Sequence, residues 1–360
     1  MRGGTARRTQ VARCYKGSLV VLALAILAVL AGCGGSDQKP TDVVLVTHDS
    51  FAISDDVKQA FEDESGLKLR ILKAGDAGEV VTRALLTAGN PEGDVLFGVD
   101  NNLLARALAG NVFEPYESPE LAEVDPALVL DPEHRVTPID RGDVCLNVDK
   151  GWFASHGLAP PTNLVQLTLP RYRGQLVVEN PATSTPGLAF MLATIAQFGD
   201  RWQGYWRKLR ANDVLVVDGW EDAYFARFSG AAGSHGKRPI VVSYASSPPA
   251  EVLGRKPQPV EAPTAVVEDS CFRQVELAGV LRGAKNEEGA RELVDFMLSK
   301  RFQEDIPLQM YVFPARRDAA LPAVFERFAV APERPLELPP EEIDANRERW
   351  VDEWTSIVVR

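Results

Sequence analysis

Six short β-branched runs, each followed closely by an amphipathic stretch, constrain this chain more than any other feature of its sequence. Three fall early, at residues 43–47, 67–72 and 95–98, and three late, at 175–179, 214–217 and 239–243. Strands separated by helices pair in parallel, and a parallel sheet needs helices on both faces. The first helix is predicted over 54–65, with Ser54 as N-cap, Val57, Ala60 and Phe61 on one face, and Gly66 as its stop. Gly89 and Gly110 close the next two, and later helices are expected at 187–198, 220–228, 249–254, 288–300 and 340–358.

Two α/β lobes follow from this pattern. Between them, 143–148 and 272–280 read as extended segments, so the chain leaves the first lobe along one and returns along the other. The expected organisation is a leader at 1–32, a tether at 33–41, lobe 1 at 42–142, a hinge strand at 143–148 and lobe 2 at 149–271. Residues 272–360 supply the return strand, the rest of lobe 1 and the C-terminal helices. The chain beyond the leader exceeds the size at which a single core usually divides.

The leader sets the compartment. Arg2, Arg7, Arg8, Arg13 and Lys16 precede an apolar run at 19–30 with no acidic residue among them, which is the pattern of an export signal. A permanent span needs roughly 20 apolar residues, and this run gives way to Gly34-Gly35-Ser36-Asp37. Leu30-Ala31-Gly32-Cys33 resembles a bacterial lipobox, which implies cleavage before Cys33 and lipidation of its thiol. An ordinary signal peptide with an incidental cysteine is the alternative. Without residues 1–32, 34 Lys and Arg face 50 Asp and Glu, a formal charge of −16. That balance argues against nucleic acid and favours cationic small molecules.

Cys145 and Cys271 remain in the exported part, where a disulfide is permitted. Both lie in or beside the hinge segments, so antiparallel pairing there brings them within bridging range; the sequence leaves the pairing open. His48, His134, His156 and His235 are scattered, with no spacing for a zinc site. Gly230-Ala231-Ala232-Gly233-Ser234-His235-Gly236-Lys237 lacks the glycine spacing of a phosphate loop, and reads as a surface loop. Nothing supports an enzyme, and there is no Gly-x-Ser-x-Gly elbow.

In open parallel sheets, ligands collect in the loops beyond the strands' carboxyl ends. Here those loops are His48-Asp49-Ser50-Phe51, residues 73–78 and Asp100-Asn101-Asn102 in lobe 1. Lobe 2 offers Thr183-Ser184-Thr185-Pro186-Gly187, Asp218-Gly219-Trp220-Glu221 and Tyr244-Ala245-Ser246-Ser247. Asp100-Asn101-Asn102 reads as an N-cap and Asx-turn cluster, and 183–187 as a helix start able to bind an anion or a hydroxyl. With Gly98-Val99-Asp100-Asn101-Asn102-Leu103-Leu104, Gly219-Trp220-x-x-Ala223-Tyr224 and Ser247-Pro248, these loops resemble the thiamine-binding proteins of ABC importers over nearly the whole exported chain. The resemblance implies a two-lobed periplasmic-binding-protein fold of type II, no cofactor and no catalysis. It also implies thiamine or a thiamine phosphate as ligand, delivered to a permease and its ATPase. Binding residues carried over are Asp76, Ala77, Ser184, Thr185, Trp220, Tyr244, Ala245, Ser246 and Ser247, with Tyr311 where relatives hold another aromatic. His48 stands where relatives often carry tyrosine, and Ala77 where they often carry glycine. A polyamine or ferric-ion binder is the alternative reading, although adjacent tyrosines of an iron site are missing at Tyr244-Ala245.

Overall fold

In the computed structural model, which describes residues 40–359, the early alternation becomes β1 (Asp42–Thr47), α1 (Asp55–Ser65), β2 (Lys68–Lys73), α2 (Ala77–Leu86), β3 (Val95–Asp100), α3 (Leu104–Ala109) and β4 (Phe113–Glu114). The leader and Cys33 lie outside the described residues. β1 pairs in parallel with both β2 and β3. Ser54 caps α1 through a bond from the Val57 N–H, and Gly66 closes it at φ 73°, a left-handed geometry that glycine adopts without steric cost.

The chain then crosses to lobe 2 along β5 (Thr137–Asp149), a strand that extends beyond both ends of the predicted hinge segment. Lobe 2 contains α4 (Lys150–Ser155), β6 (Leu176–Glu179), α5 (Thr185–Phe198), α6 (Trp202–Ala211), β7 (Leu215–Val217), β8 (Ile240–Tyr244) and α7 (Pro248–Leu253). β6 pairs in parallel with β7 and β8. The helix expected at 220–228 is a π-helical turn over Asp222–Arg227. α5 is apolar on every side and buried from Thr185 to Ile195, as a helix enclosed by a core must be.

β9 (Thr264–Leu281) returns to lobe 1, followed by α8 (Glu287–Leu298), α9 (Lys300–Gln309), β10 (Phe313–Pro314), α10 (Ala323–Phe328) and α11 (Pro340–Val358). One sheet runs through both lobes in the order β2-β1-β3-β9-β5-β8-β6-β7. The antiparallel β5/β9 pair spans the junction: β9 borders β3 in lobe 1, while β5 borders β8 in lobe 2. Midway, the register shifts so that Glu268, Asp269, Ser270 and Cys271 bulge opposite Cys145. Cys145 and Cys271 are joined there in a fully buried disulfide.

The last helix does not stay with lobe 1. α11 packs chiefly against α6 of lobe 2, where Trp354 meets Trp206 edge-on at 5.3 Å, and it also touches α3 of lobe 1. The Trp206 indole N–H donates to the Thr194 hydroxyl at 2.9 Å, which satisfies the one polar atom this ring carries into the core. Among the described residues no helix is long and apolar enough to cross a membrane.

Candidate functional site

The loops at the strand ends face one another across a cleft of about 260 Å³, just below the roughly 300–1,000 Å³ common for small-molecule sites. His48, Asp76, Ala77, Thr185, Trp220, Tyr244 and Tyr311 all line it. Lobe 1 supplies the first three and lobe 2 the next three, while Tyr311 follows α9.

Asp76 joins the lobes. Its carboxylate caps α2 by accepting from the Ala77 N–H at 2.7 Å, and accepts from the Trp220 N–H across the cleft at 3.2 Å. The Thr185 N–H also stabilises its charged form. The start of α5, which the sequence offers as an anion or hydroxyl site, therefore faces a carboxylate of the same chain. The lobes touch closely: a Cβ on Gly78 would lie 2.5 Å from the Thr183 carbonyl oxygen. Burial outweighs the hydrogen bonds and raises the Asp76 pKa to about 6.

Trp220 is held before any ligand arrives. Its indole N–H donates to Ser243 Oγ at 3.0 Å, Ser243 bonds Ser247, and Ser247 Oγ accepts from the Tyr244 N–H. Tyr224 stacks against the indole at 5.0 Å, and Phe225 meets it edge-on at 5.4 Å. Phe225 is 53% exposed at the rim of the cleft. Tyr244 stands 6.3 Å from Trp220, tilted by 61°, and passes so near β5 that a Cβ on Gly142 would lie 2.7 Å from its ring. Tyr311 sits at φ 57°, a conformation that a bulky residue keeps only where its surroundings impose it.

Four residues expected at the site do not reach the cavity. Ser184 is 1% exposed behind Thr185, and its hydroxyl is buried without a hydrogen-bond partner. Ala245 and Ser246 are fully buried: the Ala245 N–H bonds the Asp143 carbonyl, and the Ala245 side chain packs on the disulfide. Ser247 acts through the hydroxyl chain that holds Trp220. The tight turn after β8 draws these side chains inward, leaving Tyr244 as its contribution to the cleft.

The sequence reading missed Glu276, which lines the cleft from the middle of β9. The strand register sets it directly opposite Asp140 of β5 on one side and Asp100 of β3 on the other. Asp100 is satisfied by the Asn102 and Leu103 N–H groups, the Asn102 amide and Gln274, the Asx cluster the sequence predicts. Burial nevertheless raises its pKa to about 6. Glu276 is raised to about 8 by burial, followed by the charges of Asp100 and Asp76. Asp140 is pushed well up by burial and Glu276, and Glu179 by its own burial beneath the cleft. His48 is lowered to about 4 by burial and by Lys73. Apart from His48, Lys73 is the one basic side chain among the described lining residues, so the cleft offers carboxyl groups and aromatic faces to a cation.

The acids make ligand-free stability depend on pH with a definite sign. A carboxyl whose folded pKa is raised keeps a proton that the unfolded chain has lost, so its contribution falls as pH rises through the folded value. His48 works in the opposite sense, but only below about its ordinary value of 6.5. Between pH 6.5 and 8, Glu276 loses its proton, and Asp140 and Glu179, which are also raised, act in the same direction, so stability falls. Thermal melts of ligand-free protein check this: a lower melting temperature at pH 8 is expected, and an equal or higher one contradicts it.

Residues 90–331 match the family model described as bacterial extracellular solute-binding protein. The thiamine-binding periplasmic protein of Salmonella typhimurium is 31% identical over 93% of this chain and 98% of its own length. The chain belongs to this family of binding proteins. A solved periplasmic thiamin binding protein superposes with a TM-score of 0.78 at 30% identity, covering 91% of this chain and 98% of that one. A periplasmic binding protein from Actinobacillus pleuropneumoniae, solved with fructose-6-phosphate, shares the fold at TM-score 0.73 and 18% identity, over 88% of this chain and 98% of that one. The fold is the type II periplasmic-binding-protein fold, and this solute-binding family member is an extracytoplasmic binding protein and not an enzyme.

Proposed function

We propose that this protein captures thiamine or a thiamine phosphate in the cleft and hands it to an ABC importer made of a permease and an ATPase. The observation that carries the reading is the prearranged Trp220 beside Tyr244, with the Asp76 carboxylate at the same cavity. A thiazolium is a permanent cation carrying a flat partner ring, and it is favoured by aromatic faces and carboxylates together. The names of the relatives support the same ligand. Because Asp76 belongs to lobe 1 and Trp220 to lobe 2, ligand held between them favours the closed arrangement. Native mass spectrometry of protein purified from cells tests the reading: release of thiamine or one of its phosphates is expected, and release of a polyamine in its place contradicts it.

Anchoring belongs to the same proposal. Leu30-Ala31-Gly32-Cys33 behind a basic, apolar leader supports a lipid on Cys33 that keeps the protein at the outer side of the membrane, near its importer. Cys33→Ser is expected to abolish lipid labelling and leave uncleaved precursor; a normally labelled, anchored product from that variant contradicts the anchor.

A further inference from the structure

Glu276, Asp100 and Asp140 form a row of three carboxyl groups across adjacent strands. Like charges set directly opposite one another in a sheet repel, and this row is buried, with Glu276 7% exposed and both aspartates at 0%. The three are not equivalent. Asp100 collects four donors from Asn102, Leu103 and Gln274 and is built to carry charge. Neither oxygen of Asp140 meets a donor, and its neighbour in hydrogen-bonding range is the Glu276 carboxyl. Two carboxyl groups in that relation hold together by sharing a proton. On the cleft side, His48 Nε2 stands 3.5 Å from Glu276 Oε1, and this ring nitrogen, on a side chain 8% exposed, has no hydrogen-bond partner. The His48 ring nitrogen thus lies beside Glu276, at the cleft that both residues line, with its bonding capacity unused.

We infer that Glu276 is a specificity-determining residue, presenting a neutral carboxyl group as a paired donor and acceptor to a heterocycle that carries an amino group beside a ring nitrogen. The inference rests on the thiamine reading and deepens it, by assigning the pyrimidine end of the ligand to the β9 side of the cleft. An aminopyrimidine edge offers an accepting ring nitrogen next to a donating amine. A protonated carboxyl meets both, through its O–H and its C=O, whereas a carboxylate only accepts. Asp140 is a positioning residue here: it keeps a proton of its own and donates it to Glu276, which leaves the separate proton that Glu276 carries for the ligand. The elevated pKa of Glu276, about 8, agrees with a protonated group at neutral pH.

The test compares thiamine with a thiazolium that bears a benzyl group in place of the pyrimidinylmethyl group, by calorimetric titration of the whole exported protein. Both ligands keep the permanent charge, and only thiamine has the edge that Glu276 reads. Wild type is expected to prefer thiamine by about 10-fold or more, the cost of leaving buried polar groups unpaired. Glu276→Leu is expected to bring that ratio to within about 2-fold of unity. Glu276→Gln, which also pairs a donor with an acceptor, keeps most of the preference. An unchanged ratio in Glu276→Leu overturns the inference. Should that variant fail to fold, equal binding of the two ligands by wild type, or loss of the preference in a folded Glu276→Gln, overturns it equally. Wild type that binds neither thiazolium removes the thiamine reading and this inference with it, whereas binding of both without preference removes the inference alone.

Discussion

Trp220→Ala is expected to weaken thiamine binding by at least roughly 30-fold. A cation against a desolvated aromatic face is worth about 2 kcal/mol or more, and each 1.4 kcal/mol is tenfold in affinity. The indole is fixed from three sides, by Ser243 through its N–H and by Tyr224 and Phe225 against its ring. Little ordering entropy remains to be lost when ligand arrives, so the contact contributes nearly in full. Removing the ring leaves Ser243 paired with Ser247, so the loss falls on the ligand contact and leaves no buried hydroxyl stranded. Calorimetric titration of wild type and variant measures the effect, and equal affinity for thiamine places the ligand elsewhere. Neutral analogues without the thiazolium charge are expected to lose affinity similarly on wild type.

Removing the disulfide, by Cys145→Ala with Cys271→Ala, is expected to lower stability by about 2–4 kcal/mol. The bridge closes a loop of 126 residues that contains all of lobe 2, so reducing it frees the unfolded chain considerably. It also pins the β9 bulge opposite Cys145, where Ser270 Oγ accepts from the Leu146 N–H and Val330 bonds the Ala245 carbonyl nearby. A denaturation series reads the change as a lower midpoint at similar slope. A loss below about 1 kcal/mol, or free thiols at Cys145 and Cys271 in denatured, unreduced mature protein, contradicts the account.

What the sequence disclosed and what it concealed divide along one physical line. Local signals carried the lobes: β-branched runs became parallel strands, Ser54 capped its helix and Gly66 ended it. Trp220 and Tyr244 were legible for the same reason, since each follows a strand at the end where loops meet the cleft. Glu276 was not, because nothing around a glutamate in an extended run shows what lies beside it. Its meaning comes from pairing with Asp140 and Asp100, residues more than a hundred positions away. Ala245 and Ser246 share the loop of Tyr244, yet the turn after β8 directs them into the interior. The docking of α11 on lobe 2 rests on Trp354 meeting Trp206, a contact that helical periodicity alone does not assign to either lobe.

The most direct test of the central claim is a calorimetric titration of the purified, ligand-free exported domain with thiamine, its monophosphate and diphosphate, and spermidine as a competing cation. Spermidine carries charge without an aromatic ring, so it engages the carboxyl groups of the cleft but not the faces of Trp220 and Tyr244. The account predicts one site per chain, with thiamine or one of its phosphates bound far more tightly than spermidine. Spermidine displacing thiamine, or no heat from any of the three thiamine forms, contradicts it.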